Sequence, residues 1–449
     1  LFRSVLRIWF SRMEDSMKKQ EKLAVIICNL NKGSTVTDCI QSVLSSIGFD
    51  IGSNLKIFVV GNASDETSLQ NIQQQYGSQV SLVLSDTDLE GCCAVNLGIK
   101  HALAEHFRYI CCLGAEITVA PQALKIMFDF ITATPNVGLV GGKVYHKHMP
   151  HYVQQFGISI DFKHFRASTH FADTLDNGGM PNFVYCDAIG SCGMMISAQA
   201  IEKVGLLPEE NFLYWDDMEW GYKIKMAGYE VVAVGAANLY HSANPMHRYN
   251  NTKVNYYMTR NCLRFFMNYT RPEHCAKMSL VLLRSIFEEY YLHKMGHAHN
   301  MAQSDMAALY DAIYGIQGKA PDNRILVNDE SGLGFVNFFE EHEAVYMEED
   351  DPFLEQIIRQ INPYLIFMQL PEPNAVTIVR CESILKIKDF TFSLDFSDNV
   401  VYIDKKLRML ATREDMDQIK DYESILQAFL FATQPMVLRR ISEIRGIEF

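Results

Sequence analysis

No run of apolar residues in this chain is long enough to span a bilayer. An excess of basic charge is lacking too: 40 Lys and Arg stand against 53 Asp and Glu, a net charge of −13, which argues against a nucleic-acid binder. The eleven cysteines include no zinc-ligand spacing. Cys92-Cys93 and Cys111-Cys112 are adjacent pairs, the second inside an apolar strand-like run, and they read as reduced, mostly buried thiols of a cytoplasmic protein. What remains is ordinary globular material, 48% hydrophobic and 21% charged over 449 residues, enough for two or three domains.

The N-terminal segment, residues 1–22, stands apart. Arg3 and Arg7 are spaced i,i+4 against Phe2, Val5, Leu6, Trp9 and Phe10. Three readings are open: an interfacial amphipathic helix giving peripheral contact with the inner face of a membrane, a helix packed on the protein, or a remnant of cloning.

From residue 23 onward the pattern alternates. LAVIICNL (23–30), LKIFVV (55–60), VSLVL (80–84) and RYICCL (108–113) read as buried strands. Helical stretches fall near 35–47, 66–76 and 91–102. Such alternation predicts an α/β fold, a mostly parallel sheet with helices on both faces, and ligands at the carboxyl ends of the strands. Residues 253–315 read as helical, and APDN (320–323) as a linker. Beyond it, strand candidates at 364–370, 375–380 and 399–404 and helices near 352–361 and 414–431 predict a smaller α+β or α/β domain. Its acidic run 340–355 holds eight acids and no Lys or Arg, a solvated face. In HKMGHAH (293–299), His293 and His297 are spaced i,i+4 but lack a third ligand at metal spacing, so a surface helix end is expected.

The chemistry-bearing stretch is NFLYWDDMEWGYKIKMAGYEVVAVGAANLYH, residues 211–241. Asp216, Asp217 and Glu219 lie at the start of a helix. Carboxylates there either face one cleft, one serving as general base, or simply complement the helix dipole.

Several segments, in order, resemble the family-2 inverting glycosyltransferases of GT-A fold, especially the rhamnosyl- and galactofuranosyl-transferase-like branch. IICNLNK (26–32) is similar to the family's "VNYN" element, VVGNASDET (59–67) to "VDNASxDGT", and EGCCAVNLGI (90–99) to "NxGxAxAxNxGI". CDAIGSCGMMI (186–196) resembles the segment before the acceptor site. VGLLPEENFLYWDDMEWGYKIKMAGY (204–229) resembles "GxFDExFFxYxEDxDLxxRxxxAGY", and His241 and Arg260-Asn261 fall on the family's His and "RN" positions.

The resemblance implies a GT-A domain over 23–250, a helical extension over 251–320 and an accessory domain over 321–449, a candidate surface for homo-oligomers. It implies transfer of a sugar from a nucleotide-sugar donor to a glycan, lipid-linked or other glycoconjugate acceptor, with inversion, in surface polysaccharide biosynthesis. Asp217 takes the base position and Asp216 that of its partner. Burial and like charge are expected to raise the carboxyl pKa. Asn29, Asn31, Asn62, Asp65, Asn96 and Arg260 would bind the nucleotide-sugar, and Glu116 and His241 a divalent metal, Mn²⁺ or Mg²⁺.

Two positions depart from the family. Its "DxD" is here Gly114-Ala115-Glu116, and the nucleotide-reading acid after the second strand is Gly61. Each lost charge-assisted contact is worth about 1.5–3 kcal/mol. Three readings therefore stand side by side: an active transferase with altered donor binding, a degenerate transferase that binds a partner or glycan, and a non-glycosyl nucleotide-binding protein on the same kind of sheet.

Overall fold

The computed structural model describes residues 21–29, 34–62, 66–85, 87, 89–191, 193–242, 251–296, 298–329, 333–387, 400–405, 407–410, 417, 419 and 421–448. The chain divides into two compact units. The first comprises Leu1–Ser159, Ser168–Glu209 and Asp216–Ser242; the second comprises Ile160–Ala167, Glu210–Trp215 and Ala243–Phe449.

In the first unit, β1 (Leu23–Asn29), α1 (Ser34–Leu44), β2 (Leu55–Asn62), α2 (Glu66–Tyr76), β3 (Val80–Ser85), α3 (Gly91–Ala104) and β4 (Tyr109–Gly114) alternate as expected. Strand β1 lies between β2 and β4, with β3 outside β2, all parallel. The apolar run of β1 is continuous because both of its faces are covered. Leu23, Val25 and Ile27 join the core under α1 and α4 (Ala123–Ala133), while Ala24 and Ile26 join the core under α3. The strand order reverses between β1 and β4, which opens a crevice at their carboxyl ends, where Asn29 and Gly114 lie.

Beyond β4 the sheet is mixed rather than parallel. β12 (Gly193–Ser197) runs antiparallel to both β4 and β6 (Val137–His146). β13 (Glu230–His241) is parallel to β6 and antiparallel to β5 (Ile117–Val119). β7 (Met149–Gln155) and β10 (Thr174–Leu175) continue the sheet outside β6, and β11 (Phe183–Tyr185) pairs with β13. The short strands β8 (Ile158–Asp161) and β9 (Arg166–Thr169) and the helices α5 (Ala198–Val204) and α6 (Asp216–Met226) complete this stretch.

One partly buried charge cluster ties β6 to the turn after β10. The Asp176 carboxylate accepts hydrogen bonds from Lys143 Nζ (2.5 Å), Tyr145 Oη (2.6 Å) and Gly178 N (2.9 Å). Lys143 above all, then Tyr145, holds its pKa down at about 2. A carboxyl depressed in the folded state stabilises above its ordinary value and loses that contribution as pH falls through the folded one. Asp176→Asn is therefore expected to lose about 2 kcal/mol at pH 7 and about half as much at pH 3. Urea denaturation at the two pH values measures both.

In the second unit, the helical extension consists of α7 (Thr252–Tyr269), α8 (Cys275–Met295) and α9 (His299–Tyr314). Buried Asp311 of α9 accepts from Tyr256 Oη (2.7 Å) and from both arms of Arg324 (3.0 Å each). The expected linker is a packed corner instead. Ala320 is buried with its N–H donating to Tyr257 Oη, and the Arg324 fork ties the next turn down. His293 likewise departs from a surface helix end: its Nδ1 lies 2.7 Å from the buried Asp305 carboxylate. His297 lies outside the described residues.

The smaller sheet runs β15–β14–β16–β17–β18, parallel except for the last strand: β14 (Ala344–Met347), β15 (Ile366–Met368), β16 (Val376–Arg380), β17 (Val400–Ile403) and β18 (Met409–Leu410). Helices α10 (Leu333–Glu340) and α11 (Pro352–Ile361) pack their apolar stripes on it through Phe339, Leu354, Ile357 and Ile358. Helix α12 (Tyr422–Arg445) runs well past the expected end near 431. Its apolar positions Leu426, Leu430, Val437 and Ile441 stay buried through Pro435, and Phe429 stacks on Phe287 of α8. All ten described cysteines are free thiols, and six are buried.

Candidate active site

The acidic helix α6 starts at Asp216. Gly221, one turn later, lets it lie against the backbone of residues 187–188: a Cβ there would come 2.7 Å from Ala188 Cα and from the Asp187 carbonyl oxygen. That close approach brings Asp217 Oδ2 to the Ser191 N–H, which donates to it at 2.8 Å. The other oxygen, Oδ1, accepts from Met218 N at 2.8 Å. Ser191 stands two residues before Gly193, which is paired with Leu113. The Asp217 carboxylate is thereby held by the turn that leads into β12, on the side of the sheet where β4 ends.

Burial, then the neighbouring Asp217 charge, pushes the Asp216 carboxyl well above the ordinary aspartate range. Burial also raises Asp217, opposed by the Ser191 N–H. Two like charges this close do not both ionise readily, so the pair retains a proton at a pH where isolated aspartates have none. The third acid, Glu219, turns away: it is buried and ion-paired to Lys223 at 3.2 Å.

Glu116 and His241 meet on the same side. Antiparallel pairing of β5 and β13 sets Ile117 opposite His241, and His241 Nε2 lies 3.4 Å from Glu116 Oε2. The other ring nitrogen, Nδ1, lies 2.9 Å from Gln154 Oε1. Ser242 donates from both N and Oγ to the Glu116 carbonyl, each at 3.0 Å, which pins the loop. Among the described residues no group of three His, Cys, Asp or Glu side chains is disposed to hold a metal ion.

At the ends of β1 and β2, Asn29 is fully buried, its Nδ2 donating to Ser68 Oγ at 3.0 Å. Gly61 faces Leu69, whose Cδ2 would be 2.6 Å from any Cβ at that position. Gly114 is open by contrast: a Cβ there would meet only Ile117, at 3.7 Å. Asn62 ends β2; its side chain, like Asn31 and Asp65, lies outside the described residues.

Two expected donor ligands are committed elsewhere. Asn96 is fully buried, with Oδ1 accepting from Leu207 N and Nδ2 donating to Leu207 O and Glu209 Oε1 at 2.9–3.0 Å. It clamps α3 to the loop 207–209. Arg260 is fully buried in the second unit, donating to Asn261 Oδ1, Gly318 O and Asn211 O at 2.9–3.0 Å. A guanidinium with these contacts has no free face for a diphosphate. Residues 191 and 264 escaped the sequence reading. Ser191 acts through its backbone N–H, which leaves no side-chain signature, whereas Arg264, four residues after Arg260 on α7, could have been found by its spacing.

These features define an α/β protein with an acid pair and a His–Glu pair at the carboxyl edge of its main sheet. The family described as Glycosyltransferase like family 2 matches residues 20–264, and the chain belongs to it. Its fold is α/β, a mostly parallel central sheet flanked by helices, with a helical region and a further C-terminal sheet. No curated protein matches the chain. Among solved structures, it is similar to GalNAc-T7 with UDP, GalNAc and Mn²⁺ at 14% identity and a TM-score of 0.41, over 50% of this chain and 43% of that one. It is similar to TarS of S. aureus at 14% identity and a TM-score of 0.41, over 68% of this chain and 50% of that one. The chain thus spans about half the length of these structures or less. No helix among the described residues is long and apolar enough to cross a membrane.

Proposed function

We propose that this protein transfers a sugar from a nucleotide-diphosphate sugar to a glycan, lipid-linked or other glycoconjugate acceptor, with inversion. The observation that carries the reading is the Asp216–Asp217 pair, with raised pKa values, on the side of the sheet where β4 ends. In the reaction, Asp217 takes the proton of the acceptor hydroxyl as that oxygen bonds to the anomeric carbon. The bond from that carbon to the diphosphate breaks on the opposite face, which inverts the centre. A base whose pKa lies nearer the working pH is better matched to this transfer.

Glu116 and His241 supply an oxygen and a nitrogen donor that converge, and they suit a metal whose remaining ligands come from diphosphate oxygens and water. Bound Mn²⁺ or Mg²⁺ would neutralise charge on the departing diphosphate. The rhamnosyl- or galactofuranosyl-like specificity, a role in surface polysaccharide synthesis at the cytoplasmic face of a membrane, and association through residues 321–449 belong to the same proposal. So do the boundaries 23–250 for the transferase domain and 251–320 for the extension.

A second reading, a degenerate transferase that serves as a binding or scaffolding partner, draws on Gly61 and Gly114. At Gly61 the place of an acid side chain is taken by Leu69. Calorimetric and thermal-shift titration with UDP, dTDP, GDP and CDP, with and without Mn²⁺ or Mg²⁺, separates the two. Metal-dependent stabilisation by one nucleotide is expected, since a ligand that binds only the folded state raises its stability. Gly114→Asp, for which there is room, should tighten that metal-dependent binding about tenfold or more. No response to any nucleotide at millimolar concentration would sink the transferase reading and leave the second.

A further inference from the structure

Helix α9 of the second unit wears its charges on the inside. A surface helix usually turns charged residues to water and an apolar stripe inward. Between His299 and Tyr314 both carboxylates, Asp305 and Asp311, are buried. Asp305 is bound by His293 and Asn255, and Asp311 by Tyr256 and Arg324. These bonds fix the rotation of the helix and so the face it turns outward. From Gln303 onward the residues wholly or partly open to solvent are Gln303, Met306, Ala307, Tyr310 and Tyr314, and none is charged. Their spacings of three and four residues put them on one face. Tyr310 is 38% exposed and Tyr314 67%. The two rings lie nearly parallel, at 23°, with centroids 6.4 Å apart. Gly315, left-handed with φ of 79°, ends the helix directly after Tyr314, and a Cβ there would strike the Arg440 guanidinium of α12. Arg440 itself is paired with Glu443 at 3.4 Å.

What such a face can hold follows from its chemistry. The flat side of an aromatic ring is electron-rich and attracts polarised C–H groups, which a sugar ring presents on its own flat side. Phenol hydroxyls and glutamine amides both donate and accept hydrogen bonds, as sugar hydroxyls do. The face has no cation to hold a phosphate, and no Leu, Ile or Val to build the apolar centre of a protein interface. Tyrosine also offers broad, stiff contact area that loses little freedom on binding. We propose that Tyr310 and Tyr314, with Gln303 beside them, form a platform for a neutral stretch of glycan, a docking site for the acceptor in addition to the acid pair. This deepens the transferase reading and rests on it for the identity of the glycan as acceptor.

The test is affinity electrophoresis of the full chain through native gels that contain dextran, hydroxyethyl cellulose, glucomannan or galactan, all neutral, with polygalacturonate as the charged comparison. Retardation by at least one neutral polymer is expected. Tyr310→Ala and Tyr314→Ala should each weaken it about tenfold, and Tyr314→Phe should keep most of it, because the ring remains. Both side chains are exposed, so the alanine variants should melt like the wild type, and Tyr314→Ala, at the end of the helix, serves alone if the other does not fold. No retardation by any neutral polymer would overturn the proposal, as would retardation that the folded alanine variants leave unchanged. Sedimentation showing a dimer that Tyr314→Ala disperses, without retardation, would assign the face to a second copy of the chain and overturn it too. Failure of the transferase reading has a different signature: no nucleotide binds, while retardation and its loss in the alanine variants persist.

Discussion

Asp217→Asn should abolish glycosyl transfer while leaving the fold and nucleotide binding in place. The expected loss is about a thousandfold, within the range for removing a positioned general base. The substitution is close to isosteric, and an amide oxygen can still accept from Ser191 N or Met218 N. Stability should not suffer. Burial raises the Asp217 carboxyl, and a raised carboxyl contributes its full stability only below the ordinary aspartate value. That contribution is lost as pH rises through the folded value. The Asn variant is therefore expected to melt at or above the wild-type temperature at pH 8, with the gap closing toward pH 4. Wild-type activity should rise with pH through a limb lying above the usual carboxylate range, because the base must be ionised to work. Transfer of labelled sugar between pH 5 and 9, read beside the melts, checks every part. Retention of more than about a tenth of the activity would remove Asp217 from the base position, since a base contributes about a hundredfold at least.

Much of this site could be read from residue order. Continuous apolar runs gave β1, β2, β3 and β4 within a residue or two at their ends, because a strand buried on both faces has no polar positions to hide its limits. The acids of α6 and the His241–Glu116 pair were also visible, since each is a charged or ring-bearing group at the end of an apolar run. What could not be read was which polar groups spend their hydrogen bonds internally. Asn96 and Arg260 sit where a family pattern suggests donor ligands, yet their partners are carbonyls and amides of loops distant in sequence. A pattern fixes residue type and place along the chain; only folding decides whether a guanidinium meets a diphosphate or Gly318 O. The antiparallel insertion of β12 was likewise unreadable, because a buried strand shows the same apolar run in either direction.

The bulge in β13 points to a second large effect. β13 follows β6 in register from Val231 to Val234, slips, and resumes from Asn238 to His241. Past the slip, Leu239–His241 also pair with β5, with His241 opposite Ile117, the residue after Glu116. Gly142 of β6 lies where the slip occurs, paired with Val234 just before Lys143 pairs with Asn238. A Cβ on Gly142 would fall within the Leu239 side chain and against the Ala237 carbonyl oxygen. Leu239 belongs to the packed core between sheet and helices and cannot retreat freely, and the carbonyl is part of the backbone. Gly142→Ala should therefore cost about 3 kcal/mol, the upper part of the usual overpacking range, and lower Tm by on the order of 10 °C for a unit of this size. Gly114→Ala is the control. It adds the same methyl at the same sheet edge, where only Ile117 is near, and it should leave stability within about 0.5 kcal/mol of wild type. If folded Gly142→Ala is recovered by lowering the temperature, its metal-dependent nucleotide binding should still be weakened, because His241 follows Leu239 by two residues on the displaced strand. Thermal melts of the two alanine variants decide the matter. Equal stability of both would mean that β13 yields at the bulge, and that the bulge does not hold His241 in place beside Glu116.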